Sequence, residues 1–312
     1  MNALPRVSVI IVSFEVRELL RCCLDSLGAQ EGVQVETWVV ENASRDGSAD
    51  MVAGGYPAAH LVRNASNVGF ATANNQALRQ ATGDWLLLLN PDTELPPGAL
   101  AGLVRIFDRH PAAGAVGLAL RNPDGSPQAS CFAFPGLWNQ MLESVGLKRI
   151  AMSLGRGTPS AAPPPPGGEG ETDWVSGACL ALSRPAFQAI GGLDESLFLY
   201  GEEMDWCWRA RRGGFSTVWS NAAVVLHHGG ASGTGLRGPL FAMNLQSRIA
   251  FLRRYRGAGC AFTAHCILLG GALLRLAWWS ARAAVERPLR PWTRDQLERF
   301  RWAVARLAGV RR

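Results

Sequence analysis

The sequence predicts an α/β fold: a mostly parallel sheet with helices on both faces. Three observations carry that expectation. Short apolar runs of strand length alternate with segments of helical period from Val7 to Leu120, the pattern of a sheet wound with covering helices. The run Trp85–Leu89 is apolar at every position, as a strand buried on both sides must be. Polar clusters then follow the ends of the apolar runs: Ser13-Phe14-Glu15, Glu41-Asn42-Ala43-Ser44-Arg45-Asp46 and Asn90-Pro91-Asp92.

Each element can be justified in turn. Val7–Ser13 is the first strand, bounded by Pro5 and by the polar residues after Phe14. Glu18–Ala29 carries Leu19, Leu20, Cys23, Leu24 and Leu27 at helical spacing. Val35–Val40 is a second strand, Ser48–Ala53 a short helix and Leu61–Arg63 a short third strand. Ala71–Ala81 is helical, with Ala73, Ala77, Leu78 and Ala81 on one face. After Trp85–Leu89 come a helix over Leu100–Phe107 and a strand over Ala115–Leu120. Regularity fails from about Asn122 to Asp173, where Pro163–Pro166 and the following glycines have mobile-loop composition. Order resumes with Trp174–Ser183 as one strand, Glu203–Arg212 as helix, and Ser216–Trp219 and Ala223–Leu226 as two strands. From Met243 the chain reads as basic and apolar helix.

At 312 residues, 48% hydrophobic and 18% charged, the chain is globular in composition and long enough for one large domain plus an appendage. No basic region leads into a long apolar run at the N-terminus, so no signal peptide is expected. The seven cysteines form no Cys-x-x-Cys pair, which favours thiols in a reducing compartment over disulfides or zinc. Charge is unevenly spread. Residues 1–247 hold 17 Lys and Arg against 22 Asp and Glu, a balance of −5, whereas residues 248–312 hold 14 against 3, a balance of +11. Such a tail suits a polyanionic partner.

Any one of the three polar clusters has ordinary turn composition. Three of them at strand ends converge on one crevice, where open α/β sheets bind ligands. A dinucleotide site is excluded, because the turn Ser13-Phe14-Glu15-Val16-Arg17 has no glycine for a pyrophosphate to approach. No Walker loop is present either.

Five segments in order resemble the family-2 inverting glycosyltransferases: Val7–Phe14, Val39–Ser48, Asn67–Gln76, Asp84–Glu94 and Tyr200–Asp205. The nearest look-alikes are bacterial rhamnosyltransferase-type members that build cell-surface glycans. The resemblance runs from about residue 6 to 256 and implies a GT-A fold. A nucleotide-sugar-binding half over 1–120 would join an acceptor-binding half over 121–256, with a mobile loop at about 155–172. It also implies a nucleotide-diphosphate sugar donor, dTDP-rhamnose by the nearest look-alikes, and a lipid-linked or saccharide acceptor.

Chemistry explains the residue types. Breaking a sugar–diphosphate bond builds negative charge on the departing nucleoside diphosphate, which a divalent cation, Mg or Mn, neutralises. Hard cations take oxygen ligands. The resemblance makes Asp92 of Asn90-Pro91-Asp92 such a ligand, and His227 of His227-His228 completes the metal site or holds the diphosphate. It stacks Phe14 on the base, puts Glu41 at the base edge in place of the relatives' usual aspartate, and groups Ser13, Asn42, Asn67, Gly69, Asn74 and Asn90 around the nucleotide sugar. Inverting transfer needs one base to take the acceptor proton. The resemblance places that base at Glu203, with Glu202, Asp205, Trp174 and Gly177 shaping the sugar and acceptor pocket.

Gly257–Leu274 is 18 residues without a formal charge, near the lower limit for a spanning helix. Its four glycines and its run into Arg275 favour instead a helix lying on the membrane. Trp278 and Trp279 suit a headgroup boundary. Residues 257–312 are thus expected to form a basic amphipathic tail that holds the protein peripherally on the anionic inner face of the plasma membrane; a helical hairpin packed on the catalytic domain is the alternative. No nucleic-acid module stands behind the basic residues. Two rival functions are a processive polysaccharide synthase, hinted at by Gln296-Leu-Glu-Arg-Phe300, and a non-catalytic glycan-binding scaffold.

Overall fold

A computed structural model describes residues 3–144, 146, 168–197, 199–229, 237–286 and 288–309. By internal contacts the chain forms two units, Met1–Ala133 with Ala161–Ser232, and Phe134–Ser160 with Gly233–Arg312.

The first unit is built on one large sheet. Its strands are β1 (Arg6–Ser13), β2 (Gln34–Glu41), β3 (His60–Arg63), β4 (Trp85–Leu89), β5 (Thr93–Glu94), β6 (Ala113–Arg121), β11 (Cys179–Ser183) and β12 (Ser216–His227), in spatial order β3-β2-β1-β4-β11-β6-β12-β5. Short β7 (Pro127–Gln128) pairs with β6, and β9 (Glu169–Thr172) pairs with β12. β3, β2, β1 and β4 are mutually parallel, while β11 runs antiparallel to both β4 and β6. Apolar runs fill both faces of β1 and β4 because helices cover both. Val7, Val9, Ile11, Leu87 and Leu89 share a core with α1 (Arg17–Gly28), α2 (Ser48–Gly55) and α4 (Ala99–Arg109). α3 (Phe70–Leu78) packs on β1 and β2, α6 (Arg184–Ile190) on β6 and β11, and α7 (Glu202–Arg212) on β6 and β12.

Three expectations are corrected here. Trp174–Ser183 is not one strand. β10 (Trp174–Val175) pairs with β8 (Cys131–Phe132) in a separate two-stranded sheet, and only β11 joins the main sheet. A turn at Ser176 divides them, with Ser176 Oγ accepting from the Ala178 amide at 3.3 Å and Ser176 O from the Cys179 amide at 3.3 Å. Conversely, 216–219 and 223–226 are one strand, whose register against β6 shifts between Ser220 and Val224. Finally, the stretch after Asn122 is not irregular throughout, since β7, β8, α5 (Leu137–Ser144) and β9 lie in it. Residues 155–167 of the expected loop lie outside the described residues, and 169–172 are strand.

In the second unit α5, α8 (Arg237–Arg256), α9 (Ala258–Val285) and α10 (Pro291–Leu307) pack together. Leu245, Leu268, Ala272, Trp279, Leu297, Phe300, Ala303 and Leu307 form its core. Gly257, at φ 90°, breaks the helix between α8 and α9. α9 is long and apolar enough to cross a membrane, with a window of mean hydropathy 1.6 of which 28% is buried. Its outward residues include Phe262, Leu273, Leu274, Trp278 and Val285.

Gly117 of β6 faces Val175 so closely that an added Cβ would lie 2.5 Å from the Val175 side chain. Gly117→Val is therefore expected to destabilise the first unit by about 1–3 kcal/mol through overpacking. Thermal unfolding followed by circular dichroism checks this; an unchanged midpoint would mean that β10 lifts off the sheet freely.

Candidate active site

The carboxyl ends of β1, β2 and β4 lie side by side because these strands are parallel neighbours. Ser13 pairs with Glu41 and Ile11 with Leu89, so the three polar loops open on one edge of the sheet. Ser13 is fully buried and its Oγ has no hydrogen-bond partner; half-buried Phe14 follows it. Buried Glu41 accepts from the Ala43 amide at 3.1 Å and the Ser44 amide at 2.8 Å, which draws the chain into a tight turn. Glu15 locks that turn to the first loop: its amide donates to Ser44 Oγ and its carboxylate accepts from the Arg45 amide, both at 2.9 Å.

Asn42 carries the tie onward. Its Nδ2 donates to Asn67 Oδ1 at 2.9 Å, and its Oδ1 accepts from the Val68 amide at 3.2 Å and Asn64 Nδ2 at 3.1 Å. Asn67 Oδ1 also accepts from the Gly69 amide at 3.0 Å, setting the entry to α3. Asn74 sits one turn inside α3, buried, with Nδ2 donating to Phe70 O at 2.9 Å.

The third loop runs from β4 to β5, which pairs with β12. The Asn90 amide donates to Ala178 O at 3.0 Å, and Thr93 Oγ donates to Asn90 O at 2.7 Å. Cys23 of α1 supports the loop from below, its thiol pushed up to about 12 by burial. β5 pairs with β12, His227 opposite Thr93, which brings His227 Nε2 to 3.3 Å from Asp92 Oδ1 and 3.4 Å from Asn90 Nδ2. His228 turns the other way, to Glu94 Oε1 at 3.1 Å. The adjacent histidines thus separate cleanly, and His227 is the one beside Asp92. Among the described residues no group of three or more His, Cys, Asp or Glu side chains gathers around a single point.

α7 begins at a tight turn. Tyr200 (φ 69°), with Glu15 (φ 55°) and Ala43 (φ 67°), is one of three non-glycine residues at positive φ among the described residues. Such backbone costs roughly 1–3 kcal/mol and persists only where its surroundings hold it; all three sit in loops that carry the site residues. Glu202 is buried with its Oε2 unpartnered. Burial, then the neighbouring Glu203 charge, holds its carboxyl well above the usual carboxylate range. Burial also raises Glu203, opposed by the amides around it, of which Gly201 N lies 3.2 Å from Oε2. Asp205 faces inward to Arg209 Nε at 2.8 Å, and Arg209 reaches Ile190 O at 2.9 Å and Gly192 O at 2.8 Å. A Cβ on Gly177 would lie 3.9 Å from Glu203 and from the Phe70 ring, so Gly177 sits between Glu203 and the start of α3. Trp174 stacks on Phe132 at 4.3 Å and donates to Ala133 O at 3.1 Å. A cavity of about 580 Å³ lies elsewhere, at the amino ends of β6 and β12, and none of the sequence-predicted site residues lines it.

Sequence reasoning missed Gln128, whose Oε1 lies 2.5 Å from His227 Nδ1. The signal was present: Asn122-Pro-Asp-Gly-Ser126 is a turn composition that folds β7 back on β6.

Residues 8–131 match the family model described as Glycosyl transferase family 2. The chain is 30% identical over 238 residues to the N-acetylglucosaminyl-diphospho-decaprenol L-rhamnosyltransferase of Mycobacterium tuberculosis, covering 70% of this chain and 75% of that protein. The chain therefore belongs to glycosyltransferase family 2, and it is an enzyme of that class. It is also 30% identical to the O-antigen biosynthesis protein RfbC of Myxococcus xanthus, over 73% of this chain and 18% of that one. Among solved structures it resembles the mannosyltransferase PcManGT from Pyrobaculum calidifontis in complex with GDP-Man and Mn2+. That match has a TM-score of 0.59 and 21% identity, and covers 99% of this chain and 89% of the other. GalNAc-T7 with UDP, GalNAc and Mn2+ matches with a TM-score of 0.57 and 15% identity, over 99% of this chain and 57% of that one. Likeness at such identities speaks for the fold, and the fold is the GT-A fold expected from sequence.

A carboxyl raised in the folded state binds more protons there than in the unfolded chain, so its stabilising effect is complete below the ordinary glutamate range and lost as pH rises through the folded value. Glu202→Gln removes that loss. The melting temperature of the variant relative to the parent is expected to climb from pH ~5 to pH ~8; a flat difference would mean that Glu202 is not held protonated.

Proposed function

We propose that this enzyme moves a sugar from a nucleotide-diphosphate donor to a hydroxyl of a lipid-linked or glycan acceptor, inverting the anomeric carbon in a single metal-assisted displacement. The observation that carries the reading is the meeting of two clusters around one loop. Asn90, beside the Asp92–His227 pair, hydrogen-bonds Ala178 O, and the adjacent Gly177 borders Glu203.

The residues fit a divalent cation. Two atoms that share one ion through bonds of about 2.1 Å at a right angle stand ~3 Å apart, and Asp92 Oδ1 and His227 Nε2 are separated by 3.3 Å. Two protein ligands leave the other positions for diphosphate oxygens, as hard-cation sites for phosphates commonly do. An Mg or Mn ion held there offsets the charge that grows on the leaving diphosphate; an imidazole ligand favours Mn. Ser13 Oγ, buried without a partner, would bond the nucleotide, with Phe14 as the stacking face for the base. Glu41 keeps a second lone pair on each oxygen for the base edge, while Asn42, Asn67, Gly69, Asn74 and Asn90 border the donor. Glu203, its carboxyl raised by burial, suits a base that works near neutral pH. Trp174, Gly177, Glu202 and Asp205 frame the sugar and acceptor side.

The rhamnosyltransferase relative of Mycobacterium tuberculosis supports dTDP-rhamnose as donor and a lipid-linked diphosphate saccharide as acceptor. Attachment to the anionic inner face of the plasma membrane is supported by α9. Its exposed side carries Phe262, Leu273, Leu274, Trp278 and Val285, and its two charges, Arg275 and Arg282, are half-buried. An apolar face near arginines fits a helix seated in a headgroup layer.

Diphosphate release from a panel of nucleotide sugars tests the reaction, with dTDP-rhamnose expected to lead. Glu203→Gln keeps size and most hydrogen bonding, so donor binding is expected to survive while turnover falls roughly 10²–10⁴-fold. The product's anomeric configuration must be inverted. A retained product, or near-normal turnover in Glu203→Gln, sinks the assignment.

Attachment is tested by sedimentation with anionic vesicles. The full chain is expected to bind at low salt, to bind less as salt rises, and to bind weakly after Phe262→Ser with Leu274→Ser. Indifference to vesicles at low salt rules the reading out.

A further inference from the structure

We infer that Gln128 is a positioning residue that fixes the tautomer of His227, so that its Nε2 lone pair faces Asp92. This rests on the reading of Asp92 and His227 as the metal pair only for its consequence, not for the tautomer itself.

The assignment follows from a chain of hydrogen bonds in which each orientation dictates the next. A carboxylate can only accept, so Ser126 Oγ donates to Asp124 Oδ1 at 2.6 Å. Ser126 Oγ therefore receives Asn122 Nδ2, at 2.9 Å. That orientation turns Asn122 Oδ1 toward Gln128 Nε2, which donates to it at 3.0 Å. With Nε2 so engaged, Gln128 presents Oε1 to His227 Nδ1 at 2.5 Å. An amide oxygen cannot donate, so Nδ1 carries the hydrogen, and a neutral imidazole then has a bare Nε2. Reversing the Gln128 amide would set its oxygen against Asn122 Oδ1, two acceptors facing each other, so the Asn122 contact holds the amide in this orientation.

The hairpin supplies the geometry. The Asn122 amide donates to Ser126 O at 2.8 Å and the Gly125 amide to Asn122 O at 2.9 Å, and β7 pairs Gln128 with Leu120. Asp124 and Ser126 are exposed, whereas Asn122, Gln128 and His227 are half-buried, so the inner two links carry the positioning. At the far side of the ring, Asn90 Nδ2 stands 3.4 Å from Nε2 as a donor, consistent with a lone pair there. Two acceptors, Nε2 and Asp92 Oδ1, then face each other at 3.3 Å, an arrangement that a shared cation relieves. Orienting a ligand histidine through its other nitrogen commonly changes metal affinity 10–100-fold.

The test uses full-length protein labelled with 15N-histidine, without metal, at about pH 8 where an ordinary imidazole is neutral. His227 is expected to show a protonated, pyrrole-type Nδ1 and a pyridine-type Nε2. Gln128→Leu should move both shifts toward a tautomer mixture and weaken Mn2+ binding, read by electron paramagnetic resonance, by about 10–100-fold. Gln128→Glu, which still accepts, should restore both. Gln128→Asn, too short to reach the ring, is the second variant should leucine there unfold the hairpin. A protonated Nε2 in the parent protein, or a tautomer indifferent to Gln128→Leu and Gln128→Asn, overturns the inference. If the tautomer depends on Gln128 while the parent binds no Mn2+, this inference holds and the metal reading fails.

Discussion

The site depends on one constraint, the parallel pairing of β1 with both β2 and β4. Parallel neighbours end at the same edge, so whatever follows each strand is delivered to one place. Seven of the eight residues of β1 are buried, and a slip of one position would turn each inward side chain to the opposite face. The register is thereby tightly specified, and with it the juxtaposition of Ser13, Glu41 and the loop after Leu89. Hydrogen bonds between the loops then hold what the strands bring together. Glu15 ties the first loop to the second, and Asn42 ties the second to the entry of α3. Positive φ at Glu15 and Ala43 is the local cost of that locking.

On α7, three neighbouring acids stand in different environments. Asp205 has a guanidinium 2.8 Å away, and that pair pins α7 to the turn at 190–192. Glu203 meets the Gly201 amide and sits beside buried Glu202. Burial favours the neutral carboxyl, which brings proton affinity toward the working range of a base. Two positions along the helix separate the acid held by Arg209 from the one proposed as the base.

Much of this was legible in the sequence because it rests on local pattern. Apart from the two-residue β5, the elements from β1 to β6 follow from apolar periodicity, and the polar clusters fall at the carboxyl ends of β1, β2 and β4 as expected. What was not legible depended on tertiary pairing. An apolar run such as Trp174–Ser183 reads as one strand, yet Ser176 Oγ turns the chain and sends its halves to different sheets. A bulge that keeps Ser216–His227 as one strand leaves polar residues in mid-strand, which look like a break. The separation of His227 from His228 needed the pairing of β5 with β12, and Gln128 needed the hairpin before it.

The basic C-terminal unit shows why a charge count alone is a weak guide to attachment. Several of its arginines are engaged within the unit. Arg275 donates to Glu143 O and to Ser144 O, a favourable place for a cation at the end of α5. Arg248 pairs with Glu143 at 3.1 Å, Arg306 bonds Gln246 at 2.9 Å, and Arg299 stacks over Phe241 at 3.9 Å. These contacts explain part of the positive balance as packing chemistry, since arginine satisfies carbonyls and aromatic faces that lysine covers less well. Packing does not explain the outward side of α9, where Phe262 is 70% and Leu274 64% exposed. Leaving several large apolar residues together in water is costly, whereas an exposed arginine is not. The exposed apolar residues, rather than the net charge, are therefore the feature on which the proposed attachment rests, with the remaining arginines suited to an anionic surface.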